Sequence, residues 1–189
     1  MYKKTTLEQV VAYQNTDIVE RFIKIYGVET EEAVKIFNST KMWMWLSYQR
    51  RRLGVKRHLV IDSPLVVIDE MWHNFILFTH AYTHFCEQFF GFYMHHAPTT
   101  NQMIEESKKQ NTGLSADQIK QKMMDDKRWQ YEFVYDQLGK EEFLLWYKQY
   151  PKQYSPESLA KLALENEQRK LAELHAKVEE RKAQLAGAA

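Results

Sequence analysis

The chain has 189 residues, of which 44% are hydrophobic and 27% are charged. This composition is typical of a soluble globular protein, and the length suits one domain of ordinary size with an appendage. Lysine and arginine total 26 against 25 aspartate and glutamate residues, which gives a net charge of +1. That balance excludes a strongly basic nucleic-acid coat and an acidic solvating tail.

Three features of the sequence predict a cytoplasmic protein without a membrane segment. The single cysteine excludes a disulfide within the chain and favours a reducing compartment. Glu8 and Gln9 interrupt the apolar run that a secretory signal needs after the N-terminal lysines. The most apolar stretch, residues 71–86, contains three histidines and is too short to span a membrane.

Apolar residues recur with helical spacing along nearly the whole chain, which predicts an all-α fold. We expect a compact multi-helix domain over residues 1–154, followed by a C-terminal helical extension over residues 155–189. Residues 55–61 are the one segment that suits an extended conformation. Before residue 97, three helices are expected: Thr16 to a stop at Gly27, Thr30 to about residues 50–54, and Ser63-Pro64 to about Phe90, with Gly91 as the stop.

The second half of the chain begins with a predicted loop. Residues 97–114 are polar and are broken by Pro98 and Gly113, so we expect them to form the most mobile region. Helices are then predicted from Ser115 to about Met124, over residues 129–138, over residues 141–150, and from Ser155 to about Leu185.

The last predicted helix is rich in alanine, leucine, glutamate and lysine and has no aromatic residue. Glu167 and Arg181 interrupt a heptad pattern of apolar residues along it. Two interpretations stay open: a solvated helix on or beside the domain, and a helix that mediates self-association or docks a protein partner. The heptad positions are Leu164, Leu171, Val178 and Leu185, with Leu174 as one intermediate apolar residue.

The segment from residue 69 to residue 96 contains five of the seven histidines and the only cysteine. On one continuous helix, its polar side chains would form a single stripe on an otherwise apolar surface. Buried imidazoles and carboxylates are costly unless they are paired or bind a metal, so the stripe needs partners. The stripe consists of Asp69, His73, His80, His84 and Glu87.

Spacing limits which of these residues can share one metal ion. Asp69 and Glu87 would be about 27 Å apart along a helix, so one ion cannot bind the whole stripe. Asp69 with His73 is one pair with i,i+4 spacing, His80 with His84 is another, and either pair could chelate a divalent ion such as zinc or iron. The additional candidate ligands are His95 and His96, which follow Gly91, and Cys86, which lies on the opposite side of the helix.

Two other uses of the stripe remain open. Asp69 can accept a hydrogen bond from the ring of His73 and form a structural pair without a metal. Metal-free acid–base chemistry is the second alternative, and no reaction is specified by the sequence in either case.

The same segment resembles the motif of the glycine-rich domain-containing protein-like family, in its bacterial form. The resemblance covers residues 69–98 and implies a helical domain in which Asp69, His73, Cys86, His95 and His96 are important. It implies no defined reaction. The matching residues are Asp69-Glu70-Met71-Trp72-His73, Phe75-Ile76-Leu77-Phe78, Phe85-Cys86, Phe90-Gly91 and His95-His96-Ala97-Pro98, whereas Phe75 stands where plant members have a second histidine.

A basic cluster precedes this segment. It consists of Arg50, Arg51, Arg52, Lys56 and Arg57, with Trp43, Trp45 and Tyr48 just upstream. Such a cluster can bind a polyanion, although the nearly neutral chain does not favour nucleic acid. Cations at a helix C-terminus also complement the helix dipole. The leading hypothesis is a cytoplasmic metal-binding helical protein, and the alternative is a non-catalytic interaction module that uses the basic cluster and residues 155–189.

Overall fold

The computed structural model describes residues 4–187 and confirms the all-α fold, with no strand among these residues. The described residues do not include residues 1–3 of the predicted domain or residues 188–189 of the predicted C-terminal extension. A 3-10 turn (Ser63–Leu65) precedes α4, and a π-helical segment (Leu145–Gln149) follows α7. The helices are α1 (Leu7–Val11), α2 (Thr16–Tyr26), α3 (Thr30–Arg52), α4 (Val66–Ile76), α5 (Thr79–Phe89), α6 (Asn101–Gln110), α7 (Ala116–Leu144), α8 (Tyr150–Gln153) and α9 (Pro156–Gly187).

Helix α3 lies at the centre of the fold and contacts α1, α2, α4 and α7. Its apolar residues are distributed around the whole helix rather than along one stripe, as expected for a helix surrounded by others. Trp43 packs against Trp146, and Tyr48 stacks on Phe90. The aromatic residues of the chain therefore form much of the core around α3.

Several predicted helix boundaries are confirmed. Helix α2 begins at Thr16, where the side chain of Asn15 accepts a hydrogen bond from the Ile18 amide at 3.3 Å. It ends before Gly27, which has a positive φ of 66°. Ser115 caps α7 in a reciprocal arrangement with Gln118.

The predicted single helix from Ser63 to Phe90 is wrong, because the chain breaks between α4 and α5 at Leu77 and Phe78. Phe78 has a ψ of 61°, which is outside the helical range. The break brings the rings of Phe75 and Phe85 to 5.2 Å, whereas a straight helix would separate two residues ten positions apart by about 15 Å. Aromatic packing therefore replaces one long helix with two short ones.

Two further expectations need correction. Residues 97–114 contain helix α6, which is capped by Thr100 and has every side chain exposed. The helix that starts after Ser115 does not end near Met124 but continues to Leu144, with a kink at Gly139, where φ is 87°. Residues 55–61 form neither helix nor strand.

The first part of α9 packs against α2, and its second part does not contact the domain. Leu159 and Asn166 are buried, whereas every described side chain from residue 171 to residue 186 is exposed. Asn166 donates hydrogen bonds to the carbonyls of Lys24 and Ile25 at the end of α2, at 2.8 and 3.1 Å. Within residues 4–187, no helix has the length and apolar character required to cross a bilayer.

Candidate metal centre

Three side chains from two separate segments converge beside α4. Asp69 and His73 lie one turn apart on α4, and His96 comes from the segment that follows α5. His96 Nε2 is 3.0 Å from His73 Nε2 and 3.2 Å from Asp69 Oδ1, and His73 Nε2 is 3.9 Å from Asp69 Oδ2. One ligand atom from each residue lies within 4.8 Å of the other two.

These separations match those around a bound divalent ion. Ligand atoms about 2.0–2.2 Å from a tetrahedral zinc ion are about 3.3–3.6 Å apart. Adjacent ligands of an octahedral ion with bonds of about 2.1 Å are about 3.0 Å apart. The observed values of 3.0 and 3.2 Å lie within about 0.1 Å of these separations, and the value of 3.9 Å exceeds the tetrahedral range by about 0.3 Å. The three residues can therefore converge on one ion with small side-chain adjustments.

The cluster is partly open to solvent. The side chains of His96, Asp69 and His73 are 15%, 26% and 48% exposed, respectively. Two imidazoles and one carboxylate are the donor set of open zinc sites and of non-haem iron sites. Three protein ligands leave at least one coordination position for water or another small ligand.

The segment that carries His96 is held by a chain of hydrogen bonds. The Trp72 indole N–H donates to the Tyr82 hydroxyl at 3.0 Å, and this hydroxyl donates to the Met94 carbonyl at 2.5 Å. Burial of Tyr82 raises the pKa of its hydroxyl, which therefore remains a donor at neutral pH. Gly91, with a φ of 78°, lets the chain turn at the end of α5.

The His96 ring is positioned by Trp72 directly. The two rings stack with 4.2 Å between centroids and 21° between their planes. Trp72 follows Met71 on the buried side of α4 and is only 5% exposed. One buried residue therefore contacts the His96 ring with its face and, through its N–H, bonds the Tyr82 hydroxyl that holds the Met94 carbonyl.

The other candidate ligands are not in this cluster. His95 is exposed and lies against the Tyr93 ring, 4.9 Å between centroids. His80 and His84 are exposed on α5 and line a separate shallow groove with Glu87. Because the chain breaks after α4, the predicted stripe that linked them to Asp69 does not exist.

Cys86 is fully buried behind the cluster. Its thiol lies within hydrogen-bonding reach of the Met94 backbone and of the Tyr82 hydroxyl. Burial raises the pKa of this thiol, which disfavours the thiolate that metal ligation requires. Cys86 therefore supports the segment that carries His96 and is not part of the cluster of Asp69, His73 and His96.

A cleft of about 460 Å³ opens beside Asp69, His73 and His96. Trp43, Ser47, Arg50 and Arg51 of α3 also line this cleft, as do residues 58–61. The sequence did not predict that two residues of the basic cluster share a cleft with the metal-ligand candidates. No pattern in the sequence indicates this proximity, because it arises from packing between segments far apart along the chain.

The five cations of the basic cluster have different surroundings. Arg50 and Arg51 line the cleft. Arg52 donates to the side chain of Gln49 at 2.7 Å, and Lys56 is exposed. Arg57 points to α7, where it donates to the Asp125 carbonyl at 3.2 Å. The cations that are adjacent in sequence are therefore divided between the cleft and the outer surface.

The fold and the cluster define an all-α protein with an open site of two imidazoles and one carboxylate. The chain belongs to the UCP032817-like family, whose sequence model matches residues 9–128, more than half of the chain. This span contains α2 to α6, the three clustered residues and every residue that lines the cleft. No curated protein and no solved structure matches the chain.

The family match corrects the resemblance to the glycine-rich domain-containing protein-like family, which is wrong. That resemblance depended on a short motif over residues 69–98. Several of its residues have packing roles in this fold: Trp72 supports His96, Gly91 permits the turn after α5, and Cys86 lies in the core. A motif of buried aromatic residues and turn residues describes local packing and does not identify a family.

Proposed function

We propose that this protein is a cytoplasmic metal-binding protein that holds one divalent ion, zinc or iron, with Asp69, His73 and His96. The observation that supports the proposal is the convergence of His96 Nε2 on two groups, 3.0 Å from His73 Nε2 and 3.2 Å from Asp69 Oδ1. One imidazole nitrogen carries at most one hydrogen, so it cannot donate to both partners. A single ion between the three atoms gives each of them a bond.

The open side of the site suits chemistry at the metal. A bound ion with a free coordination position lowers the pKa of a water ligand or, if it is iron, binds oxygen. The role of this chain's residues is to hold the ion: Asp69 and His73 from a rigid helix, and His96 from a segment fixed by Trp72 and Tyr82. Such support from outside the ligand set typically affects metal affinity by about 10–100-fold.

The proposal is tested by competitive zinc titration against a chromophoric chelator, repeated with ferrous iron under anaerobic conditions. Asp69→Asn, His73→Ala and His96→Ala should each weaken binding by about 100-fold or more, since each removes one of three ligands. His95→Ala and His84→Ala are matched controls and should retain wild-type affinity. His95 neighbours His96 in the sequence, and His84 is an exposed histidine on α5.

The competing interpretation is a structural pair without a metal. In that case His96 Nε2 carries a hydrogen and donates it either to Asp69 Oδ1 or to His73 Nε2. The proposal is contradicted if the wild-type protein binds zinc and ferrous iron no more tightly than the His96→Ala variant does. Equal loss of binding in the control variants would also contradict it, because the site would then not be the one described.

A second candidate function is self-association through the outer part of α9. Leu164, Leu171, Leu174, Val178 and Leu185 are 42–68% exposed. Antiparallel pairing centred on Leu174 brings Glu167 of each chain towards Arg181 of the other, whereas parallel pairing in register places like charges together. This charge arrangement favours an antiparallel pair of two copies.

The self-association proposal is tested by sedimentation of the full chain and of a version truncated after Lys170. This truncation keeps Leu159 and Asn166, which are buried in the first part of α9. It removes residues 171–189, of which every described side chain is exposed. We expect the full chain to dimerise and the truncated chain to be monomeric with unchanged metal binding. A full chain that stays monomeric at about 100 μM would contradict self-association without affecting the metal proposal.

A further inference from the structure

We propose that the cleft binds a small organic molecule through its phosphate group, with Arg51 and Arg50 contacting the phosphate beside the metal ion. The proposal rests on the proposed function for its metal contact. The proposed contacts between the phosphate and the two guanidinium groups involve only residues that line the cleft and do not involve the metal. The two parts can therefore be tested separately.

Charge is distributed unevenly in the cleft. Within the described residues, Asp69 is the sole carboxylate of its lining, whereas Arg50 and Arg51 both contribute cations. The chain as a whole has nearly equal numbers of acidic and basic residues, so the imbalance is local. A divalent ion bound to Asp69 adds two positive charges, so the cleft then attracts an anion that carries more than one negative charge.

Three of the side chains that line the cleft from α3 are hydrogen-bond donors. Ser47 lies one turn before Arg51 on this helix, and both side chains line the cleft with Arg50. A hydroxyl and two guanidinium groups match the several acceptor oxygens of a phosphate. A carboxylate has two oxygens and one negative charge, so it uses fewer of these donors.

Both arginine side chains are oriented by contacts within the fold. The Arg51 guanidinium lies over the Phe92 ring, 5.0 Å from its centroid, and Phe92 belongs to the segment that carries His96. Arg50 Nη1 donates to the Arg57 carbonyl at 2.8 Å. The ion pairs among the described residues do not include Arg51, so its charge is not neutralised by a carboxylate.

The rest of the cleft suits the organic part of such a molecule. Leu59, Val60 and Ile61 form an apolar rim, and Val60 is 58% exposed. The volume of about 460 Å³ lies in the range of sites for small ligands. A phosphate held by the arginines therefore leaves room for an apolar or mixed group against this rim.

The experiment is calorimetric titration of inorganic phosphate into protein loaded with one zinc ion and freed of excess metal, with acetate as the monoanionic control. Arg51→Gln is compared with Arg52→Gln, which removes the same charge from the next position of α3 but not from the cleft lining. We expect Arg51→Gln to weaken phosphate binding by about tenfold and Arg52→Gln by less than about twofold. Acetate should bind at least about tenfold more weakly than phosphate.

The outcomes separate the two proposals. Zinc binding without saturable phosphate binding overturns the phosphate proposal and leaves the metal site intact. The phosphate proposal is also overturned if Arg51→Gln and Arg52→Gln weaken phosphate binding equally, or if acetate binds as tightly as phosphate. Either result would mean that the anion responds only to the overall positive charge of this part of the protein. Phosphate binding that depends on Arg51 in a protein that binds no metal supports the guanidinium contacts and overturns the metal proposal. Unchanged zinc affinity of Arg51→Gln verifies that this variant is folded.

Discussion

The ring of His96 lies on the face of the Trp72 indole, with 4.2 Å between the ring centroids and 21° between their planes. Trp72 immediately precedes His73 on α4, so the residue that supports one candidate ligand is a sequence neighbour of another. The short peptide from Asp69 to His73 therefore contains two of the candidate ligands and the residue that contacts the third.

Trp72→Leu should weaken zinc binding by about tenfold or more, because His96 loses the surface against which its ring is oriented. Trp72→Phe keeps an aromatic face at the same place and should stay within about threefold of the wild type. Competitive zinc titration measures both affinities, and circular dichroism verifies that both variants are folded. A folded Trp72→Leu variant with wild-type affinity would show that the stack does not orient His96.

Tyr82→Phe removes a hydroxyl that bonds both the Trp72 N–H and the Met94 carbonyl. Both partners are buried, so the free energy of unfolding should fall by about 1–3 kcal/mol. Tyr93→Phe removes a hydroxyl from an exposed residue of the same segment and is the matched control. Chemical denaturation that gives equal losses for both variants would contradict a specific role of the Tyr82 hydroxyl.

Part of the candidate site could be predicted from the sequence. The i,i+4 spacing of Asp69 and His73 indicates a pair on one helical face, and the density of histidines identifies His96 as a candidate. The break at Leu77 and Phe78 was not predicted, because no glycine or proline marks it. Packing between Phe75 and Phe85 favours the break, and this contact exists only in the folded chain.

The sequence did not lead to a prediction of helix α6 or of the cleft that the basic cluster shares with the metal-ligand candidates, and the reasons differ. Thr100 accepts a hydrogen bond from the Met103 amide at 3.2 Å, so a recognisable helix cap was present within residues predicted to form a loop. The approach of Arg51 to the cluster has no such signal. It depends on how α3 packs against the segment after α5, which sequence spacing does not report.

Asn166→Ala should detach the start of α9 from α2. The buried Asn166 amide donates to the Lys24 and Ile25 carbonyls, which have no partners within their own helix at the end of α2. We expect the free energy of unfolding to fall by about 1–3 kcal/mol. Glu165→Ala, at an exposed neighbouring position of the same helix, should change it by less than about 0.5 kcal/mol. Denaturant unfolding followed by tryptophan fluorescence measures both changes, and matching losses would argue against this contact.

The burial of Lys41 leads us to expect an unusual dependence of the free energy of unfolding on pH. It is 1% exposed, and burial lowers the pKa of its ammonium group from 10.5 to about 8. Between these values the unfolded chain binds more protons than the folded chain does, so the free energy of unfolding rises with pH. The neutral amine retains two hydrogens for its bonds to the Val11 and Tyr13 carbonyls.

The contribution of Lys41 is isolated by comparison with Lys41→Met, which has a side chain of similar length and no charge. From pH 7 to pH 9, the free energy of unfolding of the wild type should rise by about 1 kcal/mol relative to the variant. Urea denaturation at several pH values measures this difference. A difference that is constant over the range would mean that Lys41 does not change its protonation in the folded protein.

Elemental analysis by mass spectrometry tests the metal centre most directly. Untagged protein purified without chelator should contain close to one zinc or iron ion per chain, the His96→Ala variant should contain little, and the His95→Ala variant should retain the ion. Wild-type protein without zinc or iron, and still without either after incubation with both ions, would contradict the metal centre. The cluster of Asp69, His73 and His96 would then be a hydrogen-bonded structural pair with an additional acceptor.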